Sequence, residues 1–376
     1  MEFPESRFRI GADETLAGQA IALLREGRRF LSGGAGGAEA WRGAQFDLLR
    51  RGDRNTVLRA RLASGHDGIA PTLVLKFWDG DVERADADLQ ALTALAESGV
   101  VPRIIAEDAA TRGFAMEDLG DDRLEDRLQG DDRAGAWGAV EAMGEVYARL
   151  HVEGRAHVVR TGALRAAGQT RDFAAWAEAL PRALAWLALE GDDPRVQRAV
   201  RRIMPAWYAS RESLTLTHGD PAPTNVLFDP SGRARLIDFE YAGARPPAYD
   251  ETAWEVLCPL PEAPLRRLRS AYAAARAAMG WPIDPDAHAY EALVAYRALA
   301  LLSWLPASAR ERDRAWVGAW RVRQAVVHAL ERLAGTLGGD AELQPLADAG
   351  ERAARRWRAA WQLEGTVRPV WPALEG

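Results

Sequence analysis

The 376-residue chain is 48% hydrophobic and 27% charged with a formal net charge of −6, enough apolar material for a large core and the wrong balance for a nucleic-acid binder. Its one cysteine, Cys258, excludes an internal disulfide and fits a reducing compartment. The opening Met1-Glu2-Phe3-Pro4-Glu5 has no signal-peptide character and no apolar run is long enough to span a bilayer, so a cytoplasmic location without membrane attachment is expected.

In chain order, residues 13–31 carry Leu16, Ala20, Leu23 and Leu24 at helical spacing and predict an amphipathic helix. Residues 33–37 are glycine-rich but lack the preceding strand, the lysine and the hydroxyl residue of a P-loop, and read as a linker. Phe46 to Arg50, a turn over Arg51-Gly52-Asp53-Arg54-Asn55, and Thr56 to Leu62 read as strand, turn, strand. Pro71 to Trp78 predicts another strand, with Lys76 on the face of Val74 and Trp78 while Leu75 and Phe77 point the other way. A helix over 81–96 and strands over 100–107 and 113–119 follow. Between Glu117 and Asp132, eight acids stand against two arginines, either a solvated face or a negative patch that draws in a cationic substrate.

From about residue 133 the pattern is helical, over 134–151, 173–188, 194–210, 262–279, 286–304, 308–335 and 341–362. Trp316 and Trp320, like Trp357 and Trp361, are four apart, which on a helix puts them on one face. Core packing accounts for them with fewer assumptions than an aromatic box for a quaternary ammonium. His151 reads as a packed histidine, and Asp250 as a helix cap first and a substrate contact second.

Composition isolates three positions. Lys76 is the only lysine against 47 arginines, and Asn55 and Asn225 are the only asparagines. A residue type avoided elsewhere marks a position that its commoner substitute does not serve; arginine, for instance, is too bulky a fork for a compact point contact.

One stretch carries the chemistry. Thr217-His218-Gly219-Asp220-Pro221-Ala222-Pro223-Thr224-Asn225 leads into a short strand, Asp229-Pro230-Ser231-Gly232 turns the chain, and the next strand delivers Ile237-Asp238-Phe239-Glu240. A hairpin of this form should bring Asp220, Asn225 and Asp238 to one end. Phosphoryl transfer from a nucleotide needs that set: a carboxylate to accept a hydroxyl proton, and a carboxamide with a second carboxylate to hold magnesium. H-G-D-x-x-x-x-N followed by I-D-F-E resembles the catalytic and metal loops of the aminoglycoside phosphotransferase and choline kinase group of small-molecule kinases, with the protein-kinase pattern a more distant relative.

The resemblance implies an α+β, protein-kinase-like two-lobe fold, with an antiparallel-sheet lobe over 1–117 and a larger, mostly helical lobe over 118–376. It implies Mg²⁺-dependent transfer of the γ-phosphoryl group of ATP (or GTP) to a hydroxyl of a small molecule. Asp220 would deprotonate the hydroxyl, Asn225 and Asp238 would hold Mg²⁺, and Lys76 would hold phosphates. Gly52 and Asn55 match the nucleotide-covering turn. Glu117 and Leu119 match the hinge whose backbone bonds the adenine edge, and Met116, Val74, Leu227 and Ile237 would wall it. The group carries a glutamate paired with the strand lysine; here Asp88, Asp86 and Glu83 are candidates. His218 reads as a brace for the loop, and Glu240 as a contact to metal, substrate or solvent. An antibiotic, choline or ethanolamine, a sugar or homoserine all stay open as acceptor, as does a catalytically silent nucleotide-binding protein.

Overall fold

The computed structural model describes residue 20 and residues 45–61, 72–108, 112–161, 163–187, 194–208, 214–281, 287–305, 307–317, 320–337, 341–365 and 371–375. The helix expected over 13–31, apart from Ala20, and the glycine-rich stretch 33–37 lie outside them. The chain divides into two compact units, one comprising Met1–Asp121 and Leu227–Tyr241, the other Asp122–Val226 and Ala242–Gly376. The hairpin that carries Asp238 therefore belongs with the sheet-bearing unit, whereas a single cut after residue 117 assigns it to the helical one.

The first unit is built on an antiparallel sheet of β1 (Gln45–Arg51), β2 (Asn55–Arg61), β3 (Thr72–Trp78), β4 (Ile104–Asp108) and β5 (Gly113–Glu117), in the order β1-β2-β3-β5-β4. Alternation along β3 sets its two faces. Leu73, Leu75 and Phe77 pack with Leu58, Ala60, Ala106 and Ala115 in a buried apolar cluster, which leaves Val74, Lys76 and Trp78 on the opposite face. Lys76 is opposite Val57 on one side and Phe114 on the other. The approach of β5 requires Gly113: a Cβ there would lie 2.6 Å from the Phe77 ring. Helix α1 (Val82–Ala94) starts at Asp81, whose side chain accepts the N–H of Arg84 at 3.2 Å, and buries Ala87, Asp88, Ala91 and Leu92.

Strands β7 (Val226–Phe228) and β8 (Ala234–Leu236) form the expected hairpin; β6 is Thr215–Thr217. Asp229 locks its turn, Oδ1 accepting from Ser231 N at 2.9 Å and Arg233 N at 3.1 Å. Burial opposes ionisation of this carboxyl, but the Ser231 hydroxyl, these amides and the Arg233 charge hold it at about 2. Because the folded value lies below the ordinary ~3.9, ionised Asp229 adds about 2 kcal/mol at neutral pH, and this is lost as pH falls from about 4 towards 2. Urea denaturation should accordingly show Asp229→Asn less stable than the parent at pH 6, with the gap narrowing below pH 4. A gap that does not change with pH would contradict this account of the turn.

The second unit is mostly helical. Its elements are α2 (Leu124–Gln129), α3 (Arg133–Thr161), α4 (Ala163–Leu187), α5 (Pro194–Tyr208), α6 (Ala248–Glu251), α7 (Ala253–Val256), α8 (Glu262–Ala278), α9 (Ala287–Trp304), α10 (Val322–Leu337) and α11 (Gln344–Ala360). Strand β6 pairs with β9 (Gly243–Arg245). The helix expected over 308–335 is corrected: Ala307–Arg310 is a 3-10 turn, and Ala315–Val317 pairs with Trp320–Arg321 before α10 begins. Asp313 accepts the N–H of Arg323 at 3.1 Å and binds the Arg321 side chain at 2.7 Å, so a first-turn amide is satisfied and the helix starts late. Trp316 and Trp320 thus sit on two strands instead of one helical face. No described helix is long and apolar enough to cross a membrane.

Candidate active site

In the first unit everything converges on Lys76. Its Nζ lies 2.7 Å from Asp88 Oδ2 and 2.6 Å from Asp238 Oδ1, and 4.6 Å from the centre of the Trp78 ring. The ammonium is buried, which alone would lower its pKa, but the Asp88 and Asp238 charges more than reverse this and raise it. The partner left open by the sequence is Asp88, not Asp86 or Glu83. Asp88 Oδ1 also accepts the backbone N–H of Phe239 at 2.8 Å, so one buried carboxylate fixes both the lysine and the chain beside Asp238. Asp238 itself has a left-handed backbone, φ 67°, unusual for a residue with a side chain.

Around this pair, Arg50 stands 3.5 Å from Asp238, and Arg54 and Arg84 bind Glu240 at 3.2 and 3.5 Å. Arg84 also donates to the Tyr241 hydroxyl at 2.5 Å. Burial, then the Asp238 charge, push the Glu240 carboxyl up to about 7 against the opposing pull of Arg54 and Lys76. Glu240 is thus a buried member of a charged cluster.

The nucleotide-turn and hinge residues are placed as follows. Gly52 N–H donates to Asn55 O at 2.9 Å, so that amide closes the turn. Asn55 is 3% exposed, and its Oδ1 has no partner among the described residues. Glu117 spends its N–H on Arg103 O and its carboxylate on Arg103 N and Arg235. Val74, Met116, Leu119 and Leu227 are buried and Ile237 is half-buried.

In the second unit the loop 217–225 is fixed by its backbone. Asp250 Oδ2 accepts His218 N–H at 2.8 Å and Oδ1 accepts Gly219 N–H at 2.9 Å. Behind Asp250, His151 Nε2 lies 3.0 Å from Oδ2, and its Nδ1 is 2.7 Å from the Tyr272 hydroxyl. Burial works against ionised Asp250, yet the His151 hydrogen bond and charge, His218 and the Gly219 amide hold its pKa below the ordinary carboxylate range. The helix-cap reading is corrected: Asp250 is the third residue of α6 and serves the loop's N–H groups instead of its own helix. His218 is buried, and its Nδ1 lies 3.3 Å from Asp220 N, the geometry of a brace. Asn225 Nδ2 donates to Asp220 O at 3.0 Å and to Asp220 Oδ2 at 3.3 Å. That commits the amide's donor side towards Asp220 and aims its carbonyl oxygen elsewhere.

Two sequence readings shrink against these contacts. Half of the acidic run is neutralised locally: Arg59 binds Asp118 and Asp121, Arg127 binds Asp122, and Arg235 binds Glu117. The helical tryptophans already hold cations of this chain. Trp357 and Trp361 stack at 4.7 Å, and Arg310, Arg323 and Arg356 lie 4.8 to 5.5 Å from the rings of Trp186, Trp357 and Trp361.

Residues 49–282, which hold every one of these groups up to Tyr272, match the model of the phosphotransferase enzyme family. The chain belongs to that family. Among solved structures, it is similar to an ethanolamine kinase of Plasmodium vivax, with 10% identity, 93% of this chain and 91% of that chain covered, and a TM-score of 0.51. A choline/ethanolamine kinase family protein from Mesorhizobium loti matches with 19% identity over 96% of this chain and 100% of that chain, TM-score 0.49. A macrolide 2'-phosphotransferase from Brachybacterium faecium matches with 19% identity over 82% and 97%, TM-score 0.48. No match was found among curated proteins. Membership makes the chain a phosphotransferase enzyme of the kinase type with a protein-kinase-like fold, its five-stranded sheet in one unit and most of its described helices in the other.

Proposed function

We propose that this phosphotransferase moves the γ-phosphoryl group of ATP to a hydroxyl of a small molecule. The observation that carries the reading is the buried Lys76, held between Asp88 and an Asp238 that lies 162 residues further on. A structural ion pair needs one partner. Here a second, less buried carboxylate is held in a left-handed turn beside the first, the arrangement of a phosphate-binding lysine next to a metal-binding aspartate.

Asp220 accepts the acceptor's hydroxyl proton and orients that oxygen. Asn225 holds the Asp220 carboxylate through Nδ2, and His218, Gly219 and Asp250 fix the backbone that aims it. The donors offered for Mg²⁺, the Asp238 carboxylate and the Asn225 carbonyl, are hard oxygens of the kind this ion takes. Mg²⁺ takes only one or two protein ligands in such sites and fills its remaining positions from nucleotide phosphates and water. When bound, the ion neutralises charge on the β- and γ-phosphates. Gly52 and Asn55 cover the nucleotide, and the segment 116–119 with Leu227 and Ile237 receives its base.

The acceptor class is drawn from the named neighbours: an amino alcohol of the ethanolamine or choline type, or an antibiotic hydroxyl. Purified protein supplied with Mg²⁺ and ATP, or GTP, should release nucleoside diphosphate faster in the presence of one of choline, ethanolamine, homoserine, an aminoglycoside or a macrolide, with a phosphoester detected by mass spectrometry. Nucleotide binding without turnover on any of them would replace the kinase reading with that of a silent nucleotide-binding protein. No nucleotide binding would end both.

A further inference from the structure

The loop that carries Asp220 is gripped from both sides, by an acid and by an arginine that both lie outside the loop's own motif. Asp250 takes the N–H groups of His218 and Gly219. The carbonyl of Gly219 is taken by Arg297, from the middle of α9, whose Nη2 donates to Gly219 O at 3.3 Å. The same guanidinium donates to Tyr249 O at 2.7 Å from Nη2 and 3.2 Å from Nε, and stands 3.8 Å from the centre of the Tyr249 ring. Arg297 is 1% exposed and Tyr249 6%.

We infer that Arg297 is a positioning residue for Asp220. Gly219 has φ 90°, a conformation in which glycine has no steric preference to hold it, so the contacts must hold it. Its N–H points to Asp250 and its C=O to Arg297, and Arg297 also grips the carbonyl of the residue just before Asp250. The two clamps are thus braced against each other, and rotation of the Gly219–Asp220 peptide requires breaking one. The orientation of that peptide plane sets the direction of Asp220. A planar guanidinium reaches two carbonyls and an aromatic face at once; an ammonium on a flexible stem does not.

This inference rests on the proposed role of Asp220, and its test has a readout that does not. Hydrogen–deuterium exchange of peptides covering 214–226 should be at least fivefold faster in Arg297→Met than in the parent, with exchange in the β1–β5 sheet unchanged. In steady-state assays on whichever acceptor is turned over, kcat should fall tenfold or more while KM for the nucleotide stays within twofold. Arg297→Lys keeps the buried charge and most of the volume, and should show the same local exchange and at least a fivefold loss of kcat. If Arg297→Met does not fold, the lysine variant decides. Parent-like exchange and kcat in Arg297→Lys, or faster exchange spread evenly over the whole chain, would overturn the inference. Faster local exchange without any kinase activity in the parent protein would leave the clamp standing and remove the kinase reading alone.

Discussion

Asp220→Ala should lower kcat by ~10²–10⁴-fold, the usual contribution of a positioned general base, while nucleotide affinity stays close to that of the parent. The separation follows from where the groups sit. Asp220 stands in the helical unit, held by Asn225 Nδ2 and by a backbone fixed through His218 and Gly219. Lys76, the lysine proposed to hold phosphates, and its two carboxylates all belong to the other unit. Nucleotide titration followed by fluorescence and acceptor-dependent diphosphate release give the two numbers. An unchanged kcat would take the catalytic role away from Asp220, and a lost nucleotide affinity would show that the variant had disturbed more than the base.

Lys76→Met should destabilise the protein by about 3–5 kcal/mol, because it strips a buried carboxylate of its counter-charge. Asp88 is 1% exposed; without Lys76 it keeps, among the described residues, the Phe239 N–H to offset burial. A lysine that simply met phosphates from solvent would cost almost nothing to remove. The double variant Lys76→Met with Asp88→Asn should recover at least half the lost stability in urea denaturation and none of the activity. The folded pKa of Lys76 is raised by its two carboxylates, so its contribution is fully present below the ordinary ~10.4 and fades only above that pH. Stability measured between pH 6 and pH 9 should therefore show no dependence traceable to this group. If Lys76→Met unfolds at the parent's urea concentration, the buried pair does not stabilise the fold.

The residues proposed for the site are marked in the sequence by rarity or by contiguity. Lys76 and Asn225 stood out because the chain otherwise writes arginine and avoids asparagine, and Asp220 and Asp238 because each lies in a short turn-rich signature. The strand alternation of 72–78 predicted which side of the sheet Lys76 occupies. Asp88 could not be separated from Asp86 and Glu83, since all three lie on one helix and only the sheet's position selects among them. An acid near a helix start is locally indistinguishable from a cap, so Asp250 reads as one; the loop amides it accepts lie about thirty residues upstream. Arg297 carries no signal in the sequence, being one arginine among 47 inside a largely apolar helix. The 307–321 segment misled because tryptophans four apart suit a helix, while a single carboxylate, Asp313, delays the helix start.

The sheet-bearing unit is not continuous in the chain: it takes Leu227–Tyr241 from beyond 105 residues of the other unit. On the ribosome, Lys76 and Asp88 emerge while Asp238 is still to be synthesised, a wait of roughly ten to thirty seconds at ordinary elongation rates. During that interval the nascent sheet carries an ammonium and a carboxylate without the turn that completes their setting. Shortened genes ending near residue 121 would leave that state permanent, so the sheet-bearing unit cannot be obtained by cutting the chain once.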